Sequence, residues 1–462
     1  MVFLAFIGFF YYKKENAIKT PRELTFPQVK FKFKKPKRIV LENGIVVYLL
    51  PDHELPIMNM TALFRTGTSY DPEGKSGLAK ISGNVMRIGG TKNRSSKEIN
   101  DVLEFLPANI EINVSMDYFT ANLSCLKKDF SQALEIYADI LMNPLFPEDK
   151  LKLVKDRFKE KIRRQNDNPD EIAFREFKKI IYRKDPRGIV PTLTSIDNIK
   201  KEDLVAFHLK YIKPDNLILG ISGDFSFNEM IKNLKNVFGV WKKSTLQIPS
   251  IPPPKDFFDK RKTYFIEKNV PQSIILLGYI TIGKKHPLYY SFEVLNQIIG
   301  GEFTSRLNTE IRSNRGFAYS VGSYYRSYVD YGIFGIYCFT KNETTLKTVK
   351  LIFNILKKIK QNGITQKELD LAKNSIINSF IFKVKSADKI VDNQIFLEYN
   401  GMDKDFYDNY INNIQKLTKD NINEVAKKVI SIDKTIVLIL GNEEEFELPI
   451  STLGETEKIS LE

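Results

Sequence analysis

Residues 195–225 read SIDNIKKEDLVAFHLKYIKPDNLILGISGDF, and residues 413–443 read NIQKLTKDNINEVAKKVISIDKTIVLILGNE. Ile199 aligns with Leu417 and Gly223 with Gly441, each pair 218 residues apart, so the two stretches share one ungapped register. A repeat of this length marks a duplicated domain and not a solenoid. Outward from it, each copy reads in the same order. Strand-like runs come first, 45–50 and 58–66 in copy one, 263–266 and 272–282 in copy two. A helix ending in Ile-Gly-Gly follows at 88–90 and again at 299–301, then further strands near 110–126 and 317–339. Two long helices come next, 130–141 with 148–164, and 345–361 with 366–384. Gly363 predicts a helix stop, and Thr365 with Glu368 a capping box. The closing strands are 217–222 and 436–440.

Strands followed by helices in this order predict an α+β fold, with antiparallel-rich sheets covered by helices on one side. The division expected is an apolar segment and leader at 1–36, a first domain at 37–244, a Pro-rich linker at 245–262, a second domain at 263–446 and a tail at 447–462. Pro249, Pro252, Pro253 and Pro254 make the linker semi-rigid and extended.

A chain of 462 residues exceeds one ordinary core, and 42% hydrophobic content with 12% aromatics excludes a disordered chain. The net charge of +14 is spread through amphipathic segments such as 347–360, which reads as solvated helix faces and no nucleic-acid partner. Cys125 and Cys338 fall in separate apolar runs, as buried free thiols would. The opening residues 1–12, MVFLAFIGFFYY, are too short to span a bilayer and lack a basic leader region. Two readings stay open, an export signal or anchor lacking its beginning, and an apolar tail packed on the protein. With six aromatics in twelve residues, membrane contact and a bacterial-type cell envelope, periplasmic or anchored, are expected over the cytoplasm.

Residues 77–91, GLAKISGNVMRIGGT, hold a second informative pattern. Lys80, Gly83 and Asn84 stand at i, i+3 and i+4 and share one helix face. The frame closely resembles the signature of the pitrilysin/insulinase family, which includes the mitochondrial processing peptidases. In catalytic members those positions carry the inverted zinc motif His-x-x-Glu-His. By the family's spacing the third ligand, a Glu, falls on Lys161, while Glu160 beside it is turned roughly 100° away. Zinc needs N, S or O donors with a free lone pair, and an ammonium has none. The three histidines, His53, His208 and His286, are scattered and assemble no substitute site from local spacing. No metal or other cofactor is therefore expected on this chain.

Residues 300–325, GGEFTSRLNTEIRSNRGFAYSVGSYY, resemble the same family's Gly-Gly, Ser-Arg-Leu and Leu-Arg-x-x-x-Gly-x-x-Tyr pattern, with Ile311 in place of Leu. The resemblance places its Arg and Tyr on Arg312 and Tyr319. A guanidinium offers planar donors to a carbonyl or carboxylate, and a phenol can donate to the oxyanion of a tetrahedral intermediate. Taken alone, the same two residues also suit a helix-end cation and a strand aromatic with a wet edge. Arg306 is expected to be structural. The resemblance spans about 38–446 and implies two homologous α/β-roll domains forming half of a clam-shell. It further implies a non-catalytic subunit of a heterodimeric zinc metallopeptidase, lending Arg312 and Tyr319 to a homologous partner that holds the zinc and receives a peptide or unfolded polypeptide. A peptide-binding or scaffold member without proteolytic role is the alternative.

Overall fold

In a computed structural model, residues 34–243, 247–255 and 258–461 are described, and the apolar opening 1–12 lies outside them. Copy one runs β1 (Lys37–Val40), β2 (Val46–Pro51), β3 (Ile57–Phe64), α1 (Leu78–Ile88), β4 (Asn109–Val114), β5 (Phe119–Leu126), α2 (Phe130–Met142), α3 (Glu148–Arg163), α4 (Pro169–Tyr182), α5 (Lys201–Tyr211) and β6 (Leu217–Gly223), with shorter helices between. Copy two runs β7 (Lys262–Glu267), β8 (Gln272–Thr281), α6 (Tyr289–Asn296), β9 (Ala318–Ser327), β10 (Gly332–Lys341), α7 (Thr345–Asn362), α8 (Gln366–Ser379), α9 (Ala387–Tyr399), α10 (Lys419–Val429), β11 (Ile436–Gly441) and β12 (Thr456–Lys458). The predicted strands and long helices all form. The last predicted helix stops at Ser379 and tightens into a 3-10 turn, Phe380–Lys383. Gly363 terminates α7 at φ 72°, and the Thr365–Glu368 capping box is made.

The sheets share one topology, β1-β2-β6-β3-β5-β4 and β12-β7-β11-β8-β10-β9. In each the closing strand pairs parallel with the opening strand and antiparallel with the next. Their outermost strands differ in origin. Copy one uses the antiparallel hairpin partner β1, whereas copy two recruits β12 from the stretch read as a tail, parallel to β7.

Helices cover both sheet faces, not the single face expected from element order. The reason is a reciprocal exchange. Helix α4 of copy one buries Ile172, Ala173, Phe177 and Ile181 against Ile266, Ile274, Leu276 and Leu438 of copy two. Helix α9, which starts 218 residues after α4, buries Val391 and Ile395 against Tyr48, Leu50, Leu63 and Ile218 of copy one. Alternation in β6 serves both sides: Leu217, Leu219 and Ile221 join the core beneath α1 and α2, while Ile218 meets α9. A strand buried on two faces must read as a continuous apolar run, and both closing strands do. Gly220 lets α9 approach, since a Cβ there would lie 2.5 Å from Val391 Cγ1. At the rim of this contact Glu398 accepts from Arg38 at 2.9 Å and Tyr48 at 2.8 Å, and the Arg38 guanidinium holds its carboxyl below the usual range.

Both cysteines are buried and free. His208 on α5 is buried edge-on against Phe146, with Nε2 2.7 Å from the Leu141 carbonyl, so the neutral ring donates there. Burial lowers its pKa from 6.5 to about 4. Between those values the folded chain binds fewer protons than the unfolded chain, so stability present above pH 6.5 is lost as pH falls toward 4. The loss expected is roughly 3 kcal/mol. A His208→Gln variant, whose amide can still donate to Leu141, should therefore melt with a flatter pH profile across this window. Parallel profiles for the two proteins would refute this assignment.

Candidate functional site

Helix α1 begins at Gly77, φ 107°, where the Asp71 carboxylate accepts from the Gly77 N–H at 2.7 Å and the Ala79 N–H at 2.8 Å. Burial pushes the Asp71 carboxyl up to about 7 in spite of those donors. Leu78, Ala79, Ile81, Val85 and Met86 face the core, which leaves Lys80 and Asn84 on the outer side. Asn84 turns its amide back onto the Lys80 carbonyl at 2.8 Å. Lys80 reaches the cavity wall, where desolvation and then the Lys161 ammonium lower its pKa, with Asp71 opposing them. Lys161, on the last turn of α3, is thus within electrostatic reach of Lys80. Glu160 points elsewhere, 3.2 Å from Arg164.

Gly83 differs from its neighbours. It is buried against β4 and β5, and a Cβ there would lie 2.9 Å from Val114 Cγ2, 3.0 Å from Ile112 Cγ2 and 3.2 Å from Phe119. The space a carboxylate base would need is filled by two stiff β-branched side chains and a ring. Two ammonium groups, an amide and a bare backbone do not fit zinc, and among the described residues no group of three His, Cys, Asp or Glu suits a metal. His53 sits 2.5 Å from Asp224, His208 is buried, and His286 accepts from the Leu288 N–H, each in its own setting.

Arg312 lies on a π-helical turn, Asn308–Ser313, anchored by the buried Ile311, and Tyr319 lies near the start of β9. The fold brings them together. The Arg312 guanidinium is 5.9 Å from the Tyr319 ring centre and 5.1 Å from that of Phe303. Tyr319 is 77% exposed and Phe303 65%, and neither Arg312 nor Tyr319 makes an ion pair or side-chain hydrogen bond among the described residues. Arg306, by contrast, is fully engaged, donating to Glu368 at 2.6 and 2.8 Å and to the Gly363 carbonyl at 3.0 Å. Lys80 lines a cavity of about 1370 Å³ between the copies, and neither Arg312 nor Tyr319 does. Phe303 escaped the sequence reading although it stands in the quoted Gly-Gly-Glu-Phe run, because a lone aromatic there gives no signal of exposure.

Two family profiles divide the chain between them. Insulinase (Peptidase family M16) matches residues 48–190, and Peptidase M16 inactive domain matches 198–376. This chain belongs to the M16 family. This M16 chain is 25% identical over 413 residues to the uncharacterized zinc protease YmxG of Bacillus subtilis, covering 87% of this chain and 98% of that one. It is 26% identical over 401 residues to the non-peptidase homolog YmxG of Helicobacter pylori, covering 85% and 91%. The crystal structure of a peptidase M16 inactive domain from Pseudomonas fluorescens superposes with a TM-score of 0.81 at 25% identity, covering 88% of this M16 chain and 98% of that one. The M16 fold thus accounts for both sheets and their helices. Among the described residues no helix of this M16 chain is long and apolar enough to cross a membrane.

Proposed function

We propose that this chain is the non-catalytic subunit of a two-chain zinc metallopeptidase, supplying Arg312 and Tyr319 to a zinc site held by a homologous partner. One observation carries the reading. The base position is packed shut at Gly83, while the Arg312–Tyr319 pair, with Phe303, is exposed and makes no ion pair or side-chain hydrogen bond among the described residues. Exposed aromatics beside an unpaired guanidinium suit a surface completed by another molecule. In that setting Arg312 would orient a peptide carbonyl or carboxylate, and the Tyr319 hydroxyl would donate to the oxyanion formed when water attacks the amide. Zinc, base and water belong to the partner. The apolar opening of the sequence supports an envelope-associated setting.

The test is reconstitution. Purified alone, the chain should hydrolyse no peptide. Mixed with a homologous chain carrying His-x-x-Glu-His, it should co-elute on gel filtration as a one-to-one complex and raise peptide hydrolysis. A chain that self-associates and leaves the partner's rate unchanged would instead support a scaffold role and end the proposal.

A further inference from the structure

Among the described residues, seven Lys or Arg line the cavity between the copies, against two carboxylates, Asp117 and Asp330. Arg187 is already satisfied, with Nε 3.2 Å from Asp117 and Nη1 3.1 Å from Asp185. That leaves an excess of positive charge in which three groups from three different elements stand out: Lys80 on α1, Lys178 on the exchanged helix α4 and Arg326 on β9. Their side chains make no ion pair or hydrogen bond among the described residues. Desolvation lowers the Lys178 pKa and the Lys80 and Arg326 charges lower it further, with the Asp117 carboxylate opposing them, so its ammonium lies within electrostatic reach of both cations and of that carboxylate. Cations drawn from both copies into one recess, where desolvation acts on Lys80 and Lys178 and Asp117 is already held by Arg187, are unfavourable together until an anion arrives.

We propose that this cavity binds an acidic peptide segment, whose carboxylates are received by Lys80, Lys178 and Arg326. The size favours a polymer over a small anion, because about 1370 Å³ exceeds what a single drug-sized ligand fills. The walls favour a peptide, because eight tyrosines and the linker residues Ile248, Pro249 and Ile251 add amphipathic and apolar surface between the cations. The inference rests on the peptide-handling reading above for the polymer class of the ligand. Its charge preference comes from the cavity itself.

Fluorescence anisotropy of the full chain, without any partner, decides it. The probe is a labelled ten-residue peptide rich in Glu, at low ionic strength, with the same peptide carrying Gln for Glu as control. The acidic peptide should bind and the Gln peptide should not. Lys178→Gln and Arg326→Gln should each weaken binding on the order of tenfold, and Lys178→Arg should retain it. The inference is overturned if the acidic peptide fails to bind, if the Gln peptide binds equally, or if both charge-removing variants bind unchanged. It is also overturned if free glutamate or inorganic phosphate competes as well as the peptide does, or if an oligothymidylate binds more tightly. Failure here leaves the reconstitution test standing, since that test reads hydrolysis and complex formation through Arg312 and Tyr319, and failure there leaves the anisotropy result intact.

Discussion

Replacing Tyr319 by Phe is expected to lower hydrolysis by the reconstituted pair on the order of a hundredfold, with complex formation unchanged. The substitution removes one hydroxyl and keeps the ring that faces the Arg312 guanidinium at 5.9 Å, so the local cation–π contact survives. With the side chain 77% exposed, no core contact is disturbed either. What is lost is a donor aimed at charge that develops only in the transition state, and removal of one such donor typically costs about a hundredfold or more in turnover. The deficit should fall on kcat and leave KM nearly constant, since the ground-state carbonyl needs the donor less than the oxyanion does. Gel filtration of the variant with its partner controls for assembly. A rate equal to that of the wild-type pair would remove Tyr319 from the chemistry and return it to the role of a strand aromatic with a wet edge.

Much of the architecture could be read in advance because duplication writes the same pattern twice. The equal spacing of Ile199 with Leu417 and of Gly223 with Gly441 reappears in α5 and α10, whose first residues, Lys201 and Lys419, stand 218 apart. The exchange of α4 and α9 could not be read. An apolar stripe such as Ile172, Phe177 and Ile181 declares that a helix is covered, and is silent on which sheet covers it. Nor could β12 be read, because Thr456, Glu457 and Lys458 have neither alternation nor bulk, and their pairing with β7 is set by backbone hydrogen bonds at a sheet edge. At the site, the missing donors at Lys80, Gly83, Asn84 and Lys161 were visible as residue types. The closure of the Gly83 space by Ile112 and Val114 was not, since a glycine looks alike whether it faces solvent or a packed strand. Lys178 and Arg326, far apart in sequence, line one cavity only because α4 crosses to the other copy.

That closure predicts that the zinc ligands and the base cannot be restored in the same way. Lys80, Asn84 and Lys161 are exposed, so Lys80→His, Asn84→His and Lys161→Glu remove two cations and add three donors without repacking the core. The triple variant is expected to retain zinc through dialysis, read by elemental analysis, where the parent chain retains none. Adding Gly83→Glu should destabilise it by about 1–3 kcal/mol from overpacking alone, seen as a lower urea midpoint, because the new Cβ meets Val114 and Ile112 at 2.9 and 3.0 Å. Burying a carboxylate among those apolar groups adds to that cost. A carboxylate forced aside cannot reach an attacking water, so hydrolysis should stay at background although a well-placed base contributes about a hundredfold to ten-thousandfold. Trimming the obstruction with Ile112→Ala and Val114→Ala should relieve the strain introduced by Gly83→Glu relative to the same trims alone. A four-site variant as stable as the triple one and able to cut peptides unaided would show that the β4 side chains yield readily, and the base position would then be vacant by sequence only.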